Sequence, residues 1–129
     1  MPRDPDSPAT WMEYARSDLE LARLPAPHGI MLEMLCFHAQ QAAEKSIKAV
    51  LVMRGIPFPK VHSIEHLIDL LPADIARTSD LISAARLSAY ATIFRYPGME
   101  APVSEEKYRE AVRLAESVVT WAEGIIAPR

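Results

Sequence analysis

Helical periodicity dominates this chain. Apolar residues recur every three or four positions along most of it, and no stretch alternates between apolar and polar residues as a half-buried strand would. The eleven prolines cluster between the periodic stretches, where they end helices. The pattern predicts long helices over 10–24, 30–54 and 79–96 and from residue 104 onward, with a short helix over 63–71. We therefore expect an all-α fold, an up-down four-helix bundle with one additional short helix.

Capping residues mark the expected helix ends. Thr10 and Glu13 have the spacing of a capping box at the start of the first helix. Ser63 and Ser104 are expected to cap the short helix and the last helix, and Gly55 is expected to follow the end of the second helix. These ends predict a flexible N-terminal segment over 1–9 and one helical bundle domain over 10–126.

Length and charge limit the class of protein. A chain of 129 residues that is 50% hydrophobic can form one core but is too short for two domains. The net charge is −3, so no global field draws the chain to nucleic acid, and no DNA specificity is expected. Residues 1–10 do not resemble a signal peptide, and no apolar run approaches the roughly 20 residues of a membrane span. We therefore expect a cytoplasmic protein without membrane contact.

Motifs for cofactors and metals are missing from the sequence. It contains no glycine-rich phosphate loop and no Glu-x-x-His pair of the kind found in di-iron bundles. His62 and His66 have the spacing of a helical metal pair, but no third ligand lies nearby in sequence. Cys36 lies in an apolar run and is interpreted as a small buried hydrophobe. We expect no cofactor and no metal site.

The second predicted helix has two different faces. An apolar face is expected to pack the core, with alanines that permit close approach of a neighbouring helix. The opposite arc, about 80° wide, carries His38, Gln41, Lys45 and Lys48. One interpretation is a solvated face stabilised by a Glu44–Lys48 pair. The apolar core face comprises Leu32, Leu35, Ala39, Ala42, Ala43, Val50 and Met53.

Apolar side chains interrupt the polar arc of this helix. Met34, Phe37 and Val52 project into it, and a large apolar residue between polar ones suggests a covered surface. A twofold contact with a second copy of the chain is the simplest cover. The sequence therefore predicts a homodimer whose interface contains Met34, Phe37, His38 and Gln41.

Four stretches, in the same order, resemble the HEPN family (higher eukaryotes and prokaryotes nucleotide-binding). Residues 36–51, Cys-Phe-His-Ala-Gln-Gln-Ala-Ala-Glu-Lys-Ser-Ile-Lys-Ala-Val-Leu, resemble its signature helix. Gly55, Pro59 and Val61-His62-Ser63 resemble the connector that follows this helix. Arg95-Tyr96-Pro97 resembles the close of its penultimate helix, and an early pattern of Trp11, Ala15, Asp18-Leu19 and Ala22 completes the set.

The resemblance implies a dimeric four-helix bundle, often paired with a minimal nucleotidyltransferase in a toxin–antitoxin-like module. It also implies that active members are metal-independent endoribonucleases with an arginine and a histidine separated by four to six residues. This chain departs from that motif, because no histidine follows Arg95. Arg23 and His28 have the right spacing but lie in the first loop, which favours coincidence. Arg95 is the best catalytic candidate, and His38 or His62 can replace the missing base only if the fold brings one of them near Arg95.

Candidate ligand-binding residues lie in two places. Arg95 and Tyr96, at a helix end, are suited to bind a phosphate and stack on a base, although a packing role is equally compatible with the sequence. Lys45, Lys48 and Gln41 are suited to hold phosphates, or else form a solvated face.

Three hypotheses result. The chain is a HEPN dimer that binds nucleotide, RNA or a nucleotidyltransferase; a ribonuclease using Arg95 and a displaced histidine; or a purely structural interaction bundle. Whether it is an enzyme is left open.

Overall fold

The computed structural model of the chain describes residues 3–24, 29–91 and 103–127. Within these ranges all regular structure is helical, which confirms the predicted all-α class. Helix α1 spans Pro8–Ala22, and α2 spans Leu32–Met53. The short α3 spans Ile64–Asp69. Helix α4 spans Ser79–Ser83 and continues directly into a 3-10 helix over Ala84–Ala91. The last helix, α5, spans Glu105–Ile126.

Helix α1 begins two residues before its predicted start. Ser7, not Thr10, is its N-cap, and the Ser7 hydroxyl accepts a hydrogen bond from the Thr10 amide at 3.4 Å. Pro8 suits the first helical position because its fixed φ matches the helix and its missing amide hydrogen needs no partner there. The last two residues of the segment 1–9, which we expected to be flexible, therefore belong to the helix.

Three predicted cap residues are confirmed. Ser63 caps α3 by accepting from the His66 amide at 3.2 Å, and Ser104 caps α5 by accepting from the Lys107 amide at 3.1 Å. Gly55 follows the C-cap of α2 with φ of +69°. Its amide donates to Val52 and the next amide donates to Leu51, the hydrogen-bond pair of a Schellman motif.

Two glycines should respond in opposite ways to alanine substitution. We expect Gly55→Ala to lower the free energy of unfolding by about 1–2 kcal/mol, because a Cβ is unfavourable at this positive φ. Gly124→Ala, inside α5 with open space around the added carbon, should raise it by about 0.5–1 kcal/mol. Urea unfolding of both variants measures the two changes. Equal changes in the same direction would contradict the assigned end of α2.

The third predicted long helix, over 79–96, differs in the structure. Instead of one continuous α-helix from residue 79, α4 has five residues and the chain then tightens into the eight-residue 3-10 helix. The inward-facing residues Leu81, Ala84, Leu87 and Tyr90 are spaced every three positions, which matches a helix with three residues per turn. The remainder of the predicted helix, from residue 92, lies outside the described residues.

Helix α2 is the centre of the fold. It packs against α1, α5, α3 and the 3-10 helix. Six consecutive residues, 46–51, are all buried, so α2 has no solvated face over this stretch. Of the expected core face only Met53 is exposed. The predicted close approach is supported by fully buried alanines on three helices: Ala39, Ala42, Ala43 and Ala49 on α2, Ala15 and Ala22 on α1, and Ala115 and Ala122 on α5.

Cys36 occupies the core as the sequence predicts. Its side chain is fully buried beside Tyr90, and burial raises the pKa of the thiol to about 11. The thiolate is therefore absent at neutral pH, and Cys36 acts as a packing residue. Within the described ranges, no helix is both long and apolar enough to cross a membrane.

Candidate functional site

A buried carboxylate, Glu44, organises the polar residues of α2. Only 3% of its side chain is exposed. Its Oε2 accepts from the Lys48 Nζ at 2.8 Å, and its Oε1 accepts from the Gln40 Nε2 at 2.9 Å. His62, in the connector between α2 and α3, places its Nδ1 2.9 Å from the same Oε1. We call these residues, together with Gln41, the Glu44 cluster.

Glu44 is anionic at neutral pH. Burial raises the pKa of its carboxyl, but the hydrogen bonds from Lys48, Gln40 and His62 and the charge of Lys48 outweigh burial. The pKa of Glu44 therefore lies below its usual range. A buried anion with this many donors is stable only as long as the donors stay in place.

Lys48 is enclosed on its other sides by aromatic rings. Its Nζ lies 5.7 Å from the Trp11 ring centroid and 5.4 Å from that of Phe58, and these two rings meet edge to face at 5.9 Å. Its side chain is 9% exposed. The Glu44–Lys48 pair exists as predicted, but it is buried, which corrects the interpretation of a solvated face. Lys48, predicted as a phosphate ligand, already has an anionic partner.

The ring of His62 is fixed by the Glu44 carboxylate. An ionised carboxylate only accepts hydrogen bonds, so the Nδ1 of His62 carries the proton and donates. This assigns the tautomer from the hydrogen-bond network. The main-chain oxygen of His62 accepts from the Gln40 Nε2 at 3.2 Å, which holds the backbone as well. About half of the side chain, 51%, is exposed. In the neutral ring the Nε2 lone pair is therefore available.

A second histidine–carboxylate contact joins α1 to α2. The Nδ1 of His38 lies 3.0 Å from the Asp18 Oδ1, and the Lys45 Nζ lies 2.6 Å from the Oδ2 of the same residue. The Lys45 ammonium also lies 5.6 Å from the centroid of the Tyr14 ring. Beside it is a cleft of about 310 Å³ lined by Arg3, Glu13, Tyr14, Ser17, Asp18 and Lys45. Lys45, like Lys48, is thus paired with an acid.

Exposed apolar side chains lie at the end of α1, at the start of α2 and in the residues that precede α2. Phe37 is half-buried with its ring edge to face with His38 at 5.3 Å, and Gln41 is half-buried. The predicted interface residues Met34, Phe37, His38 and Gln41 recur at three- and four-residue spacing and so share one face of α2. We call the exposed set at this end the junction patch: Leu21, Leu24, Ile30, Met31 and Met34, each 37–54% exposed.

Two predicted site residues are not placed. Arg95 and Tyr96 lie outside the described residues, so their distance to His38 or His62 is not defined. The structure does bring Gln41 into the Glu44 cluster, where its Nε2 donates to the Gln40 Oε1 at 2.7 Å. Among the residues that the structure describes, no three His, Cys, Asp or Glu side chains are grouped closely enough to hold a metal ion.

Comparison with known proteins identifies the family. A protein-family model described as the HEPN domain matches residues 9–125. The chain belongs to the HEPN family. Its structure is similar to that of TT1696 from Thermus thermophilus, with a TM-score of 0.75 and 30% identity over 90% of this chain and 95% of the other. It is also similar to an archaeal HEPN homologue, with a TM-score of 0.72 and 31% identity over 93% and 98%. No curated protein matches at a significant level.

Sequence reasoning missed Asp18 and Gln40 as structural partners in this HEPN domain. Asp18 lies on the buried side of α1, three residues after Ala15 and four before Ala22. An acid in phase with buried alanines requires a cationic or hydrogen-bonding partner, which was the available signal. Gln40 is fully buried and bonds both Glu44 and the main chain of His62. Its partner in the connector is distant in sequence, and no local pattern indicates it.

Proposed function

We propose that this HEPN protein acts as a homodimer that binds a nucleotide or RNA, within a toxin–antitoxin-like module whose other member is a minimal nucleotidyltransferase. The observation that carries the proposal is the junction patch. It holds five of the eight large hydrophobic side chains that are exposed in the described part of the chain. Exposed apolar side chains concentrated in one region are typical of a protein–protein interface.

A twofold contact fits the arrangement of this surface. Met34 of the patch shares one face of α2 with the half-buried Phe37, His38 and Gln41, so apolar and polar side chains adjoin on this face. Interfaces commonly combine an apolar core with a polar rim. Two copies of one helix face that cross on a twofold axis bury such a surface against itself. This supports the predicted interface of Met34, Phe37, His38 and Gln41.

The ligand is assigned chiefly to Arg95 and Tyr96. Within the described residues the predicted phosphate ligands are paired with acids, Lys45 with Asp18 and Lys48 with Glu44. Lys45 is the more accessible of the two, at 21% exposure against 9% for Lys48. Lys45 and Gln41 are therefore secondary contacts in the proposal, and Lys48 supports the fold beneath them. A guanidinium binds phosphate oxygens in pairs, and a tyrosine ring stacks on a base.

The dimer is tested at Met34. We expect the wild-type protein to have a mass near twice the 14.4 kDa of one chain, and Met34→Lys to have the mass of one chain. The substitution places two ammonium groups in the apolar centre of a twofold interface, where neither has a partner. Light scattering after size-exclusion chromatography gives the mass. Ile82→Lys is the matched control, because Ile82 is 57% exposed and lies in α4, outside the patch.

Each outcome bears on one part of the proposal. A monomeric wild-type protein, or a dimeric Met34→Lys variant, contradicts the assigned interface. Fluorescence anisotropy with ATP analogues and a short single-stranded RNA tests the ligand, and Arg95→Ala with Tyr96→Ala should weaken binding at least about tenfold. A dimer that binds neither ligand favours the purely structural interaction bundle. Co-purification with a minimal nucleotidyltransferase encoded beside it tests the partner.

A further inference from the structure

We propose that the cleft beside Tyr14 on α1 binds a small zwitterion, an aromatic α-amino acid. The carboxylate of the ligand pairs with Arg3, its ammonium pairs with Glu13, and its ring lies against Tyr14. The cleft has a volume of about 310 Å³, at the lower end of the range for small-molecule sites, which suits a ligand of this size. The inference goes beyond the proposed function, because the ligand is neither a nucleotide nor RNA and the two sites share only Lys45.

The segment that precedes α1 supplies one side of the cleft. The indole Nε1 of Trp11 donates to the main-chain oxygen of Pro5 at 2.7 Å, which fastens this segment to α1. Arg3 is thereby held over the ring of Tyr14, with its Cζ 5.7 Å from the ring centroid. A guanidinium from outside the helices thus faces the side chains of α1 that line the cleft.

Lys45 and Asp18 form another part of the lining. The Lys45 Nζ lies 5.6 Å from the Tyr14 ring centroid and 2.6 Å from the Asp18 Oδ2. The two charged side chains are only 21% and 11% exposed, and the other Asp18 oxygen lies 3.0 Å from the His38 Nδ1. Both oxygens of this carboxylate therefore have partners already. This part of the cleft keeps its own charges paired when a ligand enters.

The second ion pair of the cleft, Arg3 with Glu13, is far looser. Its Nε and Oε2 atoms are 3.5 Å apart, and the two side chains are 59% and 56% exposed. An exposed pair of this kind contributes little to stability, so a ligand can separate it at little cost. A guanidinium binds a carboxylate through two parallel hydrogen bonds, a contact that the ligand offers to Arg3. Glu13, released from Arg3, is then available to the ammonium.

This exchange of partners selects for a ligand with both charges. A carboxylate alone leaves Glu13 unpaired beside a second anion, and an ammonium alone leaves Arg3 unpaired beside a second cation. A zwitterion replaces one loose pair by two pairs. The Tyr14 side chain is 46% exposed, so its ring can pack against an aromatic side chain of the ligand. Ser17, also in the lining, adds a hydroxyl group.

Three compounds with one carbon skeleton test the charge requirement. L-phenylalanine carries both charges, hydrocinnamate lacks the ammonium, and phenethylamine lacks the carboxylate. Isothermal titration calorimetry with the full-length protein at neutral pH and low ionic strength gives the three affinities. L-phenylalanine should bind at least about tenfold more tightly than either analogue, because each analogue lacks one charge-assisted contact. Equal affinities for the three compounds, or no binding of L-phenylalanine at its limit of solubility, overturn the inference.

Variants of the loose pair provide a second readout. Arg3→Ala should weaken the binding of L-phenylalanine at least about tenfold. Arg109→Ala is the matched control, because Arg109 is an exposed arginine of α5 that is also paired with an acid, and it should leave binding unchanged. Wild-type affinity in Arg3→Ala contradicts the assigned carboxylate site.

Glu13→Gln should change the order of the ligands. The variant should bind L-phenylalanine more weakly than the wild type, since the ammonium loses its partner. It should bind hydrocinnamate more tightly than the wild type, because the acid that a lone carboxylate leaves unpaired is gone. The same calorimetry measures both affinities. If both ligands are weakened alike, Glu13 is not the ammonium site and the zwitterion assignment fails, whatever the oligomeric state or the nucleotide affinity of the protein.

Discussion

Replacing Glu44 by alanine is expected to lower the free energy of unfolding by about 3–5 kcal/mol, the largest loss we expect from removing one charged side chain. The change removes the anion that lies 2.8 Å from the Lys48 Nζ, in a site where the lysine side chain is only 9% exposed. An ammonium left without its partner in such a site cannot be hydrated fully. Thermal and urea unfolding followed by circular dichroism measure the loss.

Arg109→Ala is the matched control for this prediction. Arg109 and Glu105 in α5 have the same four-residue spacing as Glu44 and Lys48, but their side chains are 74% and 63% exposed. Losing this pair should change stability by at most about 0.5 kcal/mol. The double variant Glu44→Leu with Lys48→Met should recover part of the loss, since both charges are then gone. Equal losses in the single and double variants would show that lost packing, not the unpaired charge, is the cause.

Truncating Ile47 is the second change with a large expected effect. Ile47 is fully buried in α2, between helices that approach closely through alanines. Ile47→Ala should lower the free energy of unfolding by about 2–5 kcal/mol. The loss has two parts: less apolar surface is removed from water, and a cavity remains that the surrounding helices cannot fill. The same unfolding measurements give the value, and the slope of the urea dependence should stay constant.

Ile82→Ala is the corresponding surface substitution. It removes the same atoms from a side chain in α4 that is 57% exposed, so the removed atoms contact mainly solvent. Its effect should stay within about 0.5 kcal/mol. Similar losses at positions 47 and 82 would contradict the central position of α2 in the core.

Local signals predicted the helices and their caps. Ser63, Ser104 and Gly55 were correctly assigned because a cap depends on residues within one turn of it. The all-α class followed from periodicity alone. The start of α1 was misplaced because two capping residues, Ser7 and Thr10, competed within four positions. The proline that follows Ser7 decides between them.

Long-range contacts were beyond the sequence. His62 was recognised as a candidate base, but its carboxylate partner lies 18 residues away, on another element. The Glu44–Lys48 pair was predicted, yet its burial depends on Trp11 and Phe58, which reach it from α1 and the connector. The 3-10 helix was taken for an α-helix because spacings of three and four residues are hard to separate over eight positions.

The Glu44 cluster also restricts how this sequence can change over generations. Four side chains donate to this carboxylate: Gln40, His62 and, at 3.5 Å, Gln41 donate to one oxygen, and Lys48 donates to the other. Exchange of Glu44 leaves the buried Lys48 ammonium without its acceptor, and exchange of Lys48 leaves one buried carboxylate oxygen without its donor. Changes at Glu44 and Lys48 are therefore expected to occur together. We expect the residues at these positions to covary among relatives.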